Sequence, residues 1–259
     1  MKVYLITGGV HSGCGKGVLA SLLCHLLSEG GKAWEKVSYI KLDPYWNVCA
    51  GSLGPTEHGE VYVLEADGAF KGAAQVDLDF GNVERLGGVR DMSGDHNITM
   101  GKAILRTQEN ERLGSYRGET LRMTPHISGT IVEMIRSVMG KIAAHGAESL
   151  VIELGGTVGD DEHKPFVHAL RQLMALPDVE GKLIHFVPIL EVGHDGKTKP
   201  AQHSLEKLWR PPDVIVGRLM TESLTAQYDR HATHFTKRMR ETCPEVKEDA
   251  VAVMPTLPR

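Results

Sequence analysis

Several common signals are missing from this 259-residue chain. No apolar run approaches the length of a membrane span, and no basic-then-apolar start marks a signal peptide, so we expect neither a membrane partner nor export. Basic residues are not in surplus: 29 Lys and Arg against 33 Asp and Glu leave a formal charge of −4. That balance argues against a nucleic-acid-binding surface, which needs clustered cations. Cys14, Cys24, Cys49 and Cys243 have neither metal-ligand nor redox spacing. They read as reduced thiols and point to a cytoplasmic address. None of the 13 histidines forms a tight His-x-x-x-His pair with a carboxylate partner, so no histidine metal motif is present. Internal repeats and low-complexity segments are also lacking.

Against these absences stands one dense motif, Gly8-Gly9-Val10-His11-Ser12-Gly13-Cys14-Gly15-Lys16-Gly17. It follows the apolar run Val3–Ile6 and precedes the helix-like run Val18–Leu27. A glycine-rich turn between strand and helix gathers backbone N–H groups and the positive end of a helix dipole. That place suits a phosphate, and Lys16 can reach the outer phosphates of a nucleotide. The spacing Gly9-x5-Gly15-Lys16 is one residue longer than the commonest form. Gly17 also stands where a magnesium-binding Ser or Thr usually sits. The metal must then be held by carboxylates from elsewhere.

Strand-like runs occur at Val3–Thr7, Val37–Leu42, Leu150–Leu154, Leu183–Ile189, Val214–Gly217 and Ala250–Met254. Helix-like patterns occupy Lys16–Glu29, Ile131–Ala144, Phe166–Leu176, Ala201–Leu208 and Leu224–Glu241. Such alternation predicts an α/β fold in one domain over 1–259, with a mainly parallel sheet and helices on both faces. Ligands bind beyond the carboxyl ends of such strands, where Lys16, Asp43 and Glu153 fall. Residues 50–124 carry many glycines and charges with little periodicity. We read them as long functional loops over the site.

Three acidic segments compete for a metal. Val76-Asp77-Leu78-Asp79 reads as a short extended segment with both aspartates on one side. Glu153 closes an apolar run and enters the turn Gly155-Gly156-Thr157, an arrangement suited to Mg²⁺ beside a phosphate loop. Asp160-Asp161-Glu162 follows that turn. The basic counterpart is Lys197-Thr198-Lys199-Pro200-Ala201-Gln202, two lysines before a proline that opens a helix. Such a segment can grip a polyphosphate.

Taken in order, the loop through Lys16-Gly17, Lys41-Leu42-Asp43-Pro44-Tyr45, His58-Gly59-Glu60-Val61, Asp77-Leu78-Asp79, Thr124-Pro125-His126-Ile127, Glu153-Leu154-Gly155-Gly156-Thr157-Val158-Gly159-Asp160 and Lys197-Thr198-Lys199-Pro200 resemble one family. They are similar to the N-terminal amidoligase (synthetase) domain of CTP synthase. The resemblance implies a P-loop fold like that of dethiobiotin synthetase. It implies transfer of the ATP γ-phosphoryl group to O4 of UTP, followed by displacement of phosphate by ammonia at C4. It implies that Gly13, Cys14, Gly15, Lys16 and Gly17 hold ATP phosphates, with Asp79 and Glu153 on Mg²⁺ and Lys41 neutralising the transferred phosphoryl group. Ser12, Asp160 and Glu162 would meet the pyrimidine nucleotide. Lys197, Lys199 and Gln202 would take its triphosphate, and Arg230 would contact the nucleotide. CTP would be product and inhibitor, and the assembly a homotetramer.

The chain also departs from that family. It lacks the Gly-x-Cys-x-Gly nucleophile turn of the glutaminase domain, so ammonia is expected free or from a separate partner. Cys49 and Gln75 stand where acidic residues are usual, and an insertion surrounds Phe70-Lys71-Gly72. Met100 breaks a Thr-Thr-Gly run, Arg122 replaces a glutamine and Arg230 an expected lysine. Arginine binds phosphate as a planar fork, so these changes leave two further readings open. One is a related P-loop ligase or kinase with a different substrate. The other is an inactive CTP- or UTP-binding regulator. A partition-type ATPase is disfavoured, because no lysine precedes Gly15 in the loop.

Overall fold

A computed structural model describes residues 1–9, 13, 15–29, 32–54, 56, 61–66, 72–192, 195–221 and 226–255. The chain is α/β, with a mainly parallel main sheet flanked by helices. Contacts divide it into two compact units. The first holds Met1–Val3, Gly17–Gly155 and Glu162–Gly181; the second holds Tyr4–Lys16, Gly156–Asp161 and Lys182–Arg259.

In the first unit β2 (Val37–Asp43) lies between β5 (Asn97–Thr99) and β6 (Ser149–Leu154), parallel to both. Every residue of β2 and β6 is buried, as expected of parallel strands covered on both faces. The register places Lys41 beside Glu153 on one flank and beside Asn97 on the other. Lys41, Asn97 and Glu153 therefore stand side by side across three adjacent buried strands. The covering helices have periodic stripes. In α3 (Ser128–Ala144) Ile131, Ile135, Val138 and Ile142 are buried; in α4 (Lys164–Met174) Phe166, Ala169, Leu170 and Leu173 are. Pro165 fits the first turn of α4, whose N–H would lack a helical acceptor in any case.

Residues 50–124, read as loops, carry structure of their own. Strands β3 (Val61–Ala66) and β4 (Gly72–Asp77) pair antiparallel, and α2 spans Met100–Arg112. The helix was missed because its buried face consists of Met100, Gly101, Ala103 and Thr107, which make no large apolar stripe. It is set by its cap: Thr99 Oγ1 accepts from the Lys102 backbone N–H at 3.1 Å. Lys102 Nζ then donates to the Gly94 and Asn97 carbonyls, both at 2.7 Å.

In the second unit β7 (Glu180–Val192) runs parallel to β9 (Val214–Leu219), which runs parallel to β10 (Val251–Met254). Strand β1 (Lys2–Gly8) neighbours β7, and β8 (Asp195–Lys197) turns back antiparallel to it. Helices α5 (Lys199–Glu206) and α6 (Tyr228–Thr242) bury Ala201, Leu205, Phe235 and Met239 against Val187, Ile189, Ile215 and Leu219. All six strands read from apolar runs are present, with ends that coincide or shift by up to three residues. The helix that opens at Lys16 is α1 (Lys16–Leu27). Among the described residues no helix is long and apolar enough to cross a membrane.

Candidate active site

In the first unit, chemistry gathers at the carboxyl ends of β2 and β6. Lys41 is 6 % exposed, and its Nζ donates to Asp77 Oδ1 at 2.7 Å and to Asp79 Oδ2. Burial alone would lower its pKa. The carboxylates of Glu153, Asp43, Asp79 and Asp77 outweigh that and hold the ammonium well above the ordinary lysine value. Glu153 is 2 % exposed and accepts from Tyr39 Oη at 2.8 Å. Tyr39 is itself fixed by an edge contact with Phe80, ring centroids 5.2 Å apart. Asp43 accepts from Asn97 Nδ2 at 2.7 Å and Tyr45 Oη at 3.2 Å. Burial is the main cause that raises its pKa to about 6; Lys41 and the two donors pull it back down.

The two aspartates do converge, but not on an extended segment. Strand β4 ends at Asp77, Leu78 adopts helical angles, and a helical turn starts at Asp79. Asp77 Oδ1 accepts from the Asp79 backbone N–H at 2.9 Å, and that turn swings both carboxylates onto Lys41. Asp79 also explains Gly17. A Cβ at Gly17 would overlap the Asp79 carboxylate, so that carboxylate occupies the place where a loop Ser or Thr would project. Gly17 follows Lys16 directly in the chain.

Four carboxylates around one ammonium leave an excess of negative charge in a mostly buried setting, which favours a further cation. Among the described residues no three His, Cys, Asp or Glu side chains form an all-protein metal cage. Magnesium suits such a place, because it binds through one or two carboxylates and completes its shell with waters and phosphate oxygens.

The second unit carries the glycine-rich loop. Gly13 (φ +69°) and Gly15 (φ +101°) adopt left-handed backbone that L side chains disfavour. Lys16 folds back over Gly8, and its Nζ donates to the Gly156 carbonyl at 2.9 Å. Arg218 packs its guanidinium against Gly15, a neighbour that no local pattern announced. Ser12 and Cys14 lie outside the described residues. Thr157 Oγ1 donates to the exposed Asp160 carboxylate. Glu162, which belongs to the first unit, is exposed in the turn Asp161–His163.

Lys197, Lys199, Gln202 and Arg230 line one cavity of about 960 Å³. Lys237 and Arg238 extend it along α6, so five Lys and Arg side chains face a single carboxylate, Asp229. Gln202 is oriented by donating to Thr198 Oγ1 at 3.2 Å. Two departures noted in the sequence prove to be neighbours in the first unit. Cys49 Sγ lies 3.5 Å from the Gln75 carbonyl oxygen and 3.8 Å from its Oε1. Met100 is fully buried at the start of α2, and Arg122 is exposed.

Fold and charge together define an α/β protein whose parallel strands carry their chemistry at the carboxyl ends. The particular family follows from comparison: the chain matches the CTP synthase N-terminus family over residues 2–254 and belongs to it. It is 43% identical over 222 residues to a CTP synthase of Halobacterium salinarum, covering 84% of this chain and 37% of that protein. To the CTP synthase of Archaeoglobus fulgidus it is 44% identical over 223 residues, covering 84% and 40%. To that of Methanopyrus kandleri it is 46% identical over 225 residues, covering 84% and 39%. The chain thus spans about two fifths of the length of the curated relatives it matches.

Proposed function

We propose that the chain catalyses the ATP-dependent amination of UTP to CTP, as a cytoplasmic homotetrameric ligase. The observation that carries this reading is the buried carboxylate cluster around Lys41, with Asp79 filling the place of the missing loop hydroxyl. The γ-phosphoryl group of ATP passes to O4 of UTP, giving ADP and a 4-phosphorylated nucleotide. Ammonia, free or delivered by a glutaminase, attacks C4; the C4–O4 bond breaks and inorganic phosphate leaves, with the excess proton passing to solvent. Magnesium, held by Asp79 and Glu153, supplies charge neutralisation and orientation of the phosphates. Lys16 and the backbone of Gly13, Gly15 and Gly17 bind ATP phosphates, and Ser12 and Cys14 belong to the same loop. Lys41 neutralises charge on the group in transfer. Its ionised state is secured by its carboxylate neighbours, so it needs little reorganisation at that moment. Lys197, Lys199, Gln202 and Arg230 bind the UTP triphosphate, and Asp160 and Glu162 meet its pyrimidine. CTP inhibits by occupying the triphosphate site.

A second reading, a related ligase or kinase with another acceptor, is favoured by the neutral Cys49–Gln75 pair in place of acidic residues. An inactive CTP- or UTP-binding regulator is the limiting case. One experiment separates all three: purified protein with ATP, Mg²⁺, UTP and ammonium chloride, products resolved by chromatography. CTP formed in step with ADP supports the first. ADP without CTP supports the second. Neither product, with CTP still bound, supports the regulator.

A further inference from the structure

Beneath the glycine-rich loop three polar side chains of the second unit form a fully buried line. Thr7 of β1, His185 of β7 and Ser204 of α5 are all 0 % exposed. His185 Nδ1 lies 3.0 Å from Thr7 Oγ1, and its Nε2 lies 2.8 Å from Ser204 Oγ. The Ser204 hydroxyl proton is used on the Ala201 carbonyl at 2.9 Å. Ser204 must therefore accept from Nε2–H, which leaves Nδ1 to accept from the Thr7 hydroxyl. Ser204 thus selects the Nε2–H tautomer, and the Thr7 hydroxyl, which has the Ile184 carbonyl at 3.4 Å as its other acceptor, faces the bare Nδ1 at 3.0 Å. Burial, with a smaller contribution from the nearby Lys16 cation, depresses the ring to about 3 and keeps it neutral.

This line joins two pieces that must act together. Thr7 is two residues before Gly9, where the loop begins, and the Gly9 backbone N–H donates to the Phe186 carbonyl at 2.9 Å. A Cβ at Gly9 would meet Ser204 Oγ at 3.2 Å and Val187 at 3.0 Å, so the loop entry rests on the hydroxyl that His185 holds. Ser204 lies on α5, which also bears Lys199 and Gln202. We infer that His185 is a positioning residue: it ties the helix carrying Lys199 and Gln202 to the strand that feeds the glycine-rich loop. On the proposed function, which this inference presupposes, the tie holds the two phosphate-binding segments in register.

Two variants separate that role from core filling. His185→Leu keeps apolar bulk but removes both polar contacts, while Thr7 and Ser204 retain Ile184 O and Ala201 O as acceptors. His185→Gln restores one donor and one acceptor on a planar group. In the assay with ATP, Mg²⁺, UTP and ammonium, His185→Leu should lower kcat about 10- to 100-fold, the scale of a small misplacement. Affinity for each nucleotide measured alone should stay near wild type, and His185→Gln should recover most of the rate. Wild-type kcat in His185→Leu, or an equal loss in both variants, overturns the inference. Imidazole ¹⁵N spectra of the wild type give a reading independent of activity. We expect a single Nε2–H tautomer, unchanged from about pH 8 to about pH 5. An Nδ1–H ring, or titration near the ordinary histidine value, overturns it. A wild-type protein that forms no CTP fails the functional reading, and the spectra then decide the tie by themselves.

Discussion

Lysine serves opposite ends in the two units. In the first, Lys41 is buried, held by two aspartates and surrounded by two further carboxylates. In the second, Lys197 and Lys199 are exposed and share a cavity with three arginine or lysine neighbours and one aspartate. A buried ammonium fixed by its counterions is already oriented and sheds no water when charge develops beside it. Exposed cations are solvated and screened, and they exchange water for an anion when one arrives. The first arrangement suits chemistry, the second capture. The contrast is one of setting, since the residue type is the same.

The most severe way to break that contrast is to remove the acids of the first unit. Asp79→Ala or Glu153→Ala should cut ATP-dependent CTP formation by about 10³-fold or more, with circular dichroism unchanged. Retained turnover in both would sink the metal assignment. Next, Lys41→Met leaves buried carboxylates without their cation. It should cost about 3–5 kcal/mol of stability in urea denaturation, as breaking buried pairs does. Equal stability to wild type would show that the cluster does not depend on its lysine.

Both units also hold a neutral buried histidine. Burial is the chief reason that His96 is depressed to about 4 and His185 to about 3. Because the folded pKa lies below the unfolded value, the unfolded chain takes up the proton first as pH falls. Stability is full above about pH 6.5, declines through the acid range, and levels off once the folded ring titrates. His96→Gln should flatten that decline between about pH 6.5 and pH 4, a difference of about 3 kcal/mol. A slope identical to wild type would contradict it.

A smaller effect tests the fit between Gly17 and Asp79. Gly17→Ala, which forces the carboxylate aside, should lower kcat about 100-fold while UTP binding persists. Last, Lys197→Ala and Lys199→Ala should weaken UTP binding about tenfold each, more at low salt than at high, with ATP binding little altered. Equal loss for both nucleotides would point to a shared phosphate channel and dissolve the contrast between the units.

Most elements were legible because they rest on local, periodic information. Strand β2 reads from Val37–Leu42, and α4 from the spacing of Phe166, Leu170 and Leu173. Helix α2 was not, since its contacts use Gly101 and Ala103, and its start depends on the Thr99 cap. At the site, Lys197, Lys199, Gln202 and Arg230, which the family resemblance names as nucleotide contacts, line one cavity. Asp77 and Asp79 were expected together for the wrong reason: a turn after β4, and not an extended pleat, brings them onto Lys41.

The sequence by itself determined the α/β alternation, the glycine-rich strand-to-helix turn and the ordered motifs that tie the chain to its family. These follow from residue spacing and from backbone rules that act over a few positions. Only the tertiary structure decided that Gly17 yields its space to Asp79 and that Cys49 meets Gln75. It alone set Glu153 against Tyr39, Arg218 against Gly15, and His185 between Thr7 and Ser204. Each of these joins residues distant in the chain. Their proximity is set by sheet register and helix packing, which no local window of sequence contains.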